Sequence, residues 1–228
     1  MSGFRYASCC RVWRYCRPWM GRHAGRQLTL CCLISLMFVL FMYNDGRPLP
    51  LSGVSLLLVL MSTMISDDVF KVIRSRSRGM RLLLLPASNQ DKYAALVMWA
   101  LLLSFVIPSA SMAFVDTGLL VSGCWLRFPT GHAGSLHAQV FAAEWSVLLF
   151  YIAVGLSGVT FSLISAFSGR SWWMDAVEIA FVSLVVVVAQ SFRWLLPWMA
   201  LLLLAADAFN GWLGYRFFTG FQLEGRRS

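Results

Sequence analysis

Long apolar runs, broken by short polar punctuation, dominate the chain. A helix crossing about 30 Å of hydrocarbon at a rise of about 1.5 Å per residue needs about 20 mostly apolar residues. Six runs approach this: Leu28 to Tyr43, Leu51 to Ser66, Tyr93 to Phe114, Trp145 to Phe167, Ala176 to Phe192 and Trp194 to Tyr215. The first is short, so Arg26 is expected to snorkel, and it closes on a turn signal from Asn44 to Pro50 containing Gly46, Pro48 and Pro50. The second ends at Asp67-Asp68. Pro108 lies inside the third, where a kink or break is expected. Gly and Ser enrich the fourth, a composition suited to close helix approach in lipid. The valine run between Ser183 and Ala189 in the fifth would look strand-like in water. In lipid a lone strand leaves its backbone polar groups unpaired, so a helix is expected there too. Pro197 falls in the first turn of the sixth, where proline is tolerated.

Composition sharpens this pattern. Of 228 residues, 59% are apolar and 13% charged, and the mean hydropathy is +0.70. A water-soluble domain of this size cannot hide so much apolar surface. The expected fold class is all-α, a polytopic transmembrane bundle of six spans with both termini in the cytoplasm. The net charge of +9 would suggest nucleic acid on a soluble protein. Here the basic residues follow the membrane instead, and no nucleic-acid partner is expected. Sixteen Lys and Arg residues fall in segments assigned to the inside, against Arg47, Arg127 and Arg193 outside. The expected layout is a basic interfacial segment over 1–27, a six-span domain over 28–216 and a cytoplasmic tail over 217–228. The inner loop is 67–92 and the outer loop 115–144. A cleavable signal peptide is not expected, because the basic stretch is long and no small-residue cleavage site follows the first run. The aromatics Trp13, Tyr15 and Trp19 among the early arginines suit a helix lying in anionic headgroups.

The inner loop carries the most information. Met80 to Leu85 is a short apolar run ended by Pro86, and Ser88 with Asp91 forms an S-x-x-D capping signature ahead of the third span. Two readings of the loop stand side by side: an ordered segment docked under the bundle, or a positive-inside loop that hugs the membrane. The stretch Met80-Arg-Leu-Leu-Leu-Leu-Pro-Ala-Ser-Asn-Gln-Asp-Lys-Tyr93 resembles an LLLPAS-x-x-(E/D)-K-(Y/F) signature of small six-span bacterial membrane proteins grouped with type-2 ABC transporter permeases. The aromatic and basic stretch before the first span is similar to their N-terminal elbow. The resemblance implies a permease-like exporter subunit in the bacterial cytoplasmic membrane, working as a homo- or hetero-dimer with a separate cytoplasmic ATP-binding subunit. It also implies an ATPase-coupling loop comprising Met80, Leu83, Leu85, Pro86, Ser88, Asp91 and Lys92. The chain departs from that family in two ways: too few residues separate the fifth and sixth runs for an outer re-entrant hairpin, and its longest outer loop follows the third run.

Candidate chemistry is sparse. No G-x-x-x-x-G-K-[ST] loop occurs, so ATP hydrolysis by this chain is not expected. The six cysteines include the adjacent pairs Cys9-Cys10 and Cys31-Cys32 and show no metal-binding spacing, so neither a metal nor a cofactor is expected. Intramembrane polar residues are Asp207, Asn210 and Gln190, read as a polar lining or as interhelical hydrogen-bonding groups. Asp175 and Glu178 open the fifth run, and His132 with His137 lies in the outer loop. An intramembrane enzyme using these groups, or a scaffold without transport, are the alternative readings, and no catalytic residue is assigned.

Overall fold

The computed structural model describes residues 6–42, 51–74, 85–121, 145–167 and 172–224. Its α-helices are α1 (Tyr6–Met42), α2 (Leu51–Arg74), α3 (Asn89–Val121), α4 (Trp145–Phe167), α5 (Trp172–Ser191) and α6 (Leu196–Glu224), with a 3-10 turn at Arg193–Leu195 before α6. No strand occurs among the described residues. Among the described residues five stretches are long and apolar enough to cross a membrane: His23–Leu40, Gly53–Phe70, Asn89–Gly118, Trp145–Phe167 and Arg193–Gly220. The described apolar part of α5, Ile179–Ser191, is shorter. Large apolar side chains face outward on these helices, among them Leu33, Met37, Leu184 and Trp198, as lipid-facing surfaces do and soluble monomers rarely do.

Two helices, α1 and α3, extend furthest beyond their apolar runs. The basic segment expected before the first span and the span itself form one helix of 37 residues, with Pro18 inside it. Its buried positions recur every fourth residue, as Ser8, Val12 and Cys16 and again as Gln27, Cys31, Ser35 and Val39. That spacing keeps one narrow stripe of mostly small side chains along a single helix face. The stripe packs on α3. The second long helix, α3, continues through Pro108 without the expected break. Proline leaves the carbonyl four residues back without its usual donor. Beside that gap, Ser109 Oγ donates to the Phe105 carbonyl at 2.6 Å and Ser111 Oγ to the Pro108 carbonyl at 2.8 Å.

Contacts along the helices set their relative directions. Trp13 meets Trp99 near the starts of α1 and α3, while Cys32 and Val115 line one groove nearer their ends, so these two run parallel. The Ser66 and Ser104 hydroxyls lie 3.0 Å apart, and Leu58 shares a cleft with Met112, so α2 opposes α3. Gly158 abuts Ser62 and Phe167 meets Phe70, so α4 runs with α2. Thr160 meets Asp207 and Phe167 meets Phe218, so α6 runs with α4. The most extensive interfaces are α4 with α6, α2 with α4, and α1 with α3.

The central element is α4, with 67% of its span buried against 22% for the spans of α1 and α6. Its small residues explain why. A Cβ at Gly158 would stand 2.9 Å from both the Ser62 Cβ and the Val59 carbonyl oxygen, so only glycine lets α2 come this close. Ser162 Oγ then donates to the Thr63 carbonyl at 3.0 Å across the same interface. One buried cluster fills the middle of the bundle around Met61, Phe150 and Leu203. A second fills the end holding Val12, Phe70, Trp99, Leu163 and Phe218.

Candidate functional site at the Leu85–Lys92 end of the bundle

The second cluster draws on five helices and contains a connected set of aromatic rings among its aliphatic side chains. Trp13 stacks on Trp99 with ring centroids 4.1 Å apart, and Trp99 Nε1 donates to the Trp13 carbonyl at 3.3 Å. Phe167 meets Phe218 at 5.2 Å and Phe70 at 6.1 Å. Tyr93 contacts Tyr215 at 5.2 Å and Phe218 at 5.7 Å. Onto this floor pack Leu85 and Ala87, the described start of the segment leading into α3.

That segment is ordered by the capping signature foreseen in the sequence. The Asp91 amide donates to Ser88 Oγ at 3.1 Å, and the Ser88 amide donates to Asp91 Oδ2 at 3.4 Å. The reciprocal pair satisfies two amides at the start of α3 that would otherwise lack partners. A tight turn precedes it, with the Ala87 amide donating to the Leu85 carbonyl at 2.8 Å. Asp91 and Lys92 are buried, whereas Pro86 is exposed. Of the seven residues assigned to a coupling loop, Leu85, Pro86, Ser88, Asp91 and Lys92 therefore form one short structural unit. Met80 and Leu83 lie outside the described residues.

One residue further on, α3 reaches α6. Tyr93 Oη donates to the Gly211 carbonyl at 2.5 Å, and a Cβ at Gly214 would lie 3.2 Å from that hydroxyl oxygen. Asp207 stands one turn before Gly211, buried between α4 and α6. Its Oδ1 accepts from Thr160 Oγ1 at 3.0 Å, while Oδ2 has no hydrogen-bond partner among the described residues. Asn210 is half-buried one turn along from Asp207. Gln190, expected to bond across helices, is exposed on α5 and points away from the bundle. The structure thus brings the capped segment and Asp207 to adjoining turns of one interface, and it separates Gln190 from them. Sequence reasoning singled out both partners, and placed Tyr93 at the aromatic position of the signature and at the start of the third run without assigning it a contact with the sixth.

Arg26 keeps its side chain exposed, as expected of a snorkelling residue, and also bridges Asp68 at 2.6 Å. Gln27 Nε2 donates to the same carboxylate oxygen, so Asp68 ties α1 to α2. Exposure of the guanidinium limits such a pair to about 0–1 kcal/mol. The side chains of Asp175 and Glu178 lie outside those described, as do His132, His137 and Cys124. Among the described residues no group of three or more His, Cys, Asp or Glu side chains gathers around a metal-sized site. Cys10, Cys16, Cys31 and Cys32 are free thiols. Burial pushes the Cys16 thiol up from its ordinary 9.0 to about 12.

By fold and hydropathy, the class is that of all-helical chains suited to cross a membrane several times. No family model, curated protein or solved structure matches this chain.

Proposed function

We propose that this chain is a six-span, permease-like subunit of an ABC-type exporter in a bacterial cytoplasmic membrane, with both termini inside. Its drive comes from a separate cytoplasmic ATP-binding subunit docked at the Leu85–Lys92 end. The carrying observation is the doubly capped segment from Ser88 to Asp91, seated on the aromatic floor and linked through Tyr93 to the α6 backbone. A capped turn transmits displacement where a disordered loop would absorb it. Movement of Tyr93 would act at Gly211, one turn from the Asp207 to Thr160 contact that joins α6 to α4. Repacking of α4 against α6 is then the structural response to ATP in the partner.

Two further observations support the reading. First, α4 and α6 run in the same direction, so the intervening chain has to return along the bundle, and the 20 residues of α5 supply a helix about 30 Å long to do it. This favours six crossings although only five stretches meet the length and hydropathy requirement among the described residues. Second, residues 80–93 resemble the permease signature while the chain has no phosphate-binding loop, so any ATP must be bound by another polypeptide.

The test is purification of the tagged full chain from its native membrane in mild detergent, with assay of associated ATP hydrolysis. Co-purification of an ATPase, lost when Met80 to Leu85 is replaced by polar residues, is the expected result. A preparation with no ATPase, or one whose ATPase is indifferent to that replacement, would overturn the coupling and favour a scaffold. The variant Tyr93→Phe keeps the ring contacts and removes the bond to Gly211. It should retain the ATPase and lower the stimulation of hydrolysis by the membrane subunit.

A further inference from the structure

A cleft of about 370 Å³ opens between α2, α3 and α4, and the exposed side chains of Phe105 and Ile152 put its mouth on the lipid-facing side. We propose that it binds an uncharged, lipid-soluble ring carbonyl compound of the quinone type, entering sideways from the bilayer. Its volume lies in the range of small-molecule sites, roughly 300–1,000 Å³. No charged side chain lines the cleft among the described residues. An ionised ligand would leave water there without a partner for its charge, so the cleft suits a neutral one.

Hydrogen-bonding sense narrows the choice further. Ser62, Ser104, Ser109 and Tyr151 bring hydroxyl groups to the lining. Ser109 Oγ gives its proton to the Phe105 carbonyl at 2.6 Å, and Ser104 Oγ is engaged with Ser66 Oγ at 3.0 Å. Ser62 and Tyr151 are only 2% and 6% exposed. Their hydroxyls have no hydrogen-bond partner among the described residues, yet neither oxygen is sealed inside the protein. A Cβ at Gly155 would stand 3.7 Å from Ser62 Oγ and 3.9 Å from the edge of the Phe105 ring, so the bare glycine leaves hydroxyl and ring facing one space. Two unspent protons call for a ligand with lone pairs, and a ring with paired carbonyls supplies them. Depth separates such a ligand from a phospholipid. Gly155 stands about 15 Å from the start of α4 and about 18 Å from its end, which is mid-hydrocarbon for a crossing helix. At that depth a phospholipid offers acyl chain, with no acceptor, whereas an uncharged quinone ring brings its carbonyls there and finds a π face in Phe105.

Binding here is independent of the ATP-coupled reading, because this chain alone forms the cleft. The test uses the full chain in phosphatidylcholine nanodiscs and a decylquinone probe with a fully substituted ring, inert to thiols, whose alkyl chain carries a diazirine. Photolabelled peptides are mapped by mass spectrometry. Labelling should fall on residues 58–62, 104–112 and 148–155 and be competed by unlabelled decylquinone, but not by decylbenzene, which lacks the carbonyls, or by decanoate, which is charged. Ser62→Ala and Tyr151→Phe each delete one hydroxyl that bonds nothing in the protein. Each should raise the half-saturating probe concentration about three- to tenfold, the scale of one neutral hydrogen bond, with the melting temperature unchanged. Ile152→Trp, which narrows the mouth without touching either hydroxyl, should abolish labelling. A quinone extracted with the chain purified from its native membrane would mark a resident lipid as the ligand, and retained labelling without one would mark a molecule supplied from outside. Equal half-saturation for wild type and both hydroxyl variants, equal competition by decylbenzene, or labelling spread over other helices would each overturn the proposal.

Discussion

Glycine positions that look alike in the sequence differ sharply in what surrounds them. Gly158 is walled in by Ser62 and Val59, whereas a Cβ at Gly220 meets nothing within 4 Å. Gly158→Leu should therefore cost about 1–3 kcal/mol or prevent α2 from docking. Gly220→Ala should be neutral or stabilise by up to about 1 kcal/mol through helix propensity. Reversible unfolding in mixed micelles separates the two. Cys16 gives a second test at this scale. Its thiol is held protonated by burial well above the ordinary 9.0, so it should resist maleimide in the folded protein and react once the protein is denatured. The folded state holds that proton more tightly than the unfolded chain does. The resulting stabilisation is full below pH about 9 and declines as pH rises towards about 12. The six cysteines offered no disulfide or metal pattern in the sequence. The use of Cys16 and Cys31 as small packing residues on the α1 stripe becomes visible only once the four-residue spacing is matched to the face of α3.

At the scale of elements, hydropathy made most of the helices legible, because lipid leaves a chain few other ways to satisfy its backbone. The Ser88 to Asp91 cap was legible too, since its two side chains and two amides lie within four residues and need no distant partner. Helix ends were less so. Val12 and Cys16 sit among arginines in a stretch of low mean hydropathy, and what holds them is the Trp99 side of α3, more than eighty residues away. Arg11, Arg14 and Arg17 remain exposed on the opposite side, so the segment can meet anionic headgroups on one face while packing on protein with the other. Trp13→Ala removes the stack on Trp99, worth about 0.5–1.5 kcal/mol beyond its buried area. Faster tryptic cleavage at Arg14 and Arg17, with the rest of the bundle intact, is the expected consequence. Unchanged cleavage would mean that the segment is held without the tryptophan pair.

For the whole molecule, the decisive measurement concerns α5. A cysteine-free background with single cysteines at position 170 or at position 193 should react with a membrane-impermeant maleimide from opposite sides. Labelling of both from one side would leave α5 as an in-plane helix and remove the six-span arrangement. The packing of α5 is light and one-sided: Val182, Val185, Val186 and Ala189 face inward, and Ile179, Leu184 and Val187 face outward. Its valine run was correctly expected to be helical. What the sequence could not reveal is which helices would be neighbours, because every span is apolar on several sides and lipid covers whatever protein does not.

The first helix rests chiefly on the third, the second on the fourth, and the fourth on the sixth. Neighbours along the chain are seldom the main partners in space. As the ribosome delivers the spans one after another, an early hairpin of α1 and α2 leaves the lengthwise stripe from Ser8 to Val39 bare until α3 arrives. Each new pair of spans would complete the one before it, so a nascent chain halted at an intermediate length presents a half-built surface for quality-control proteases to recognise.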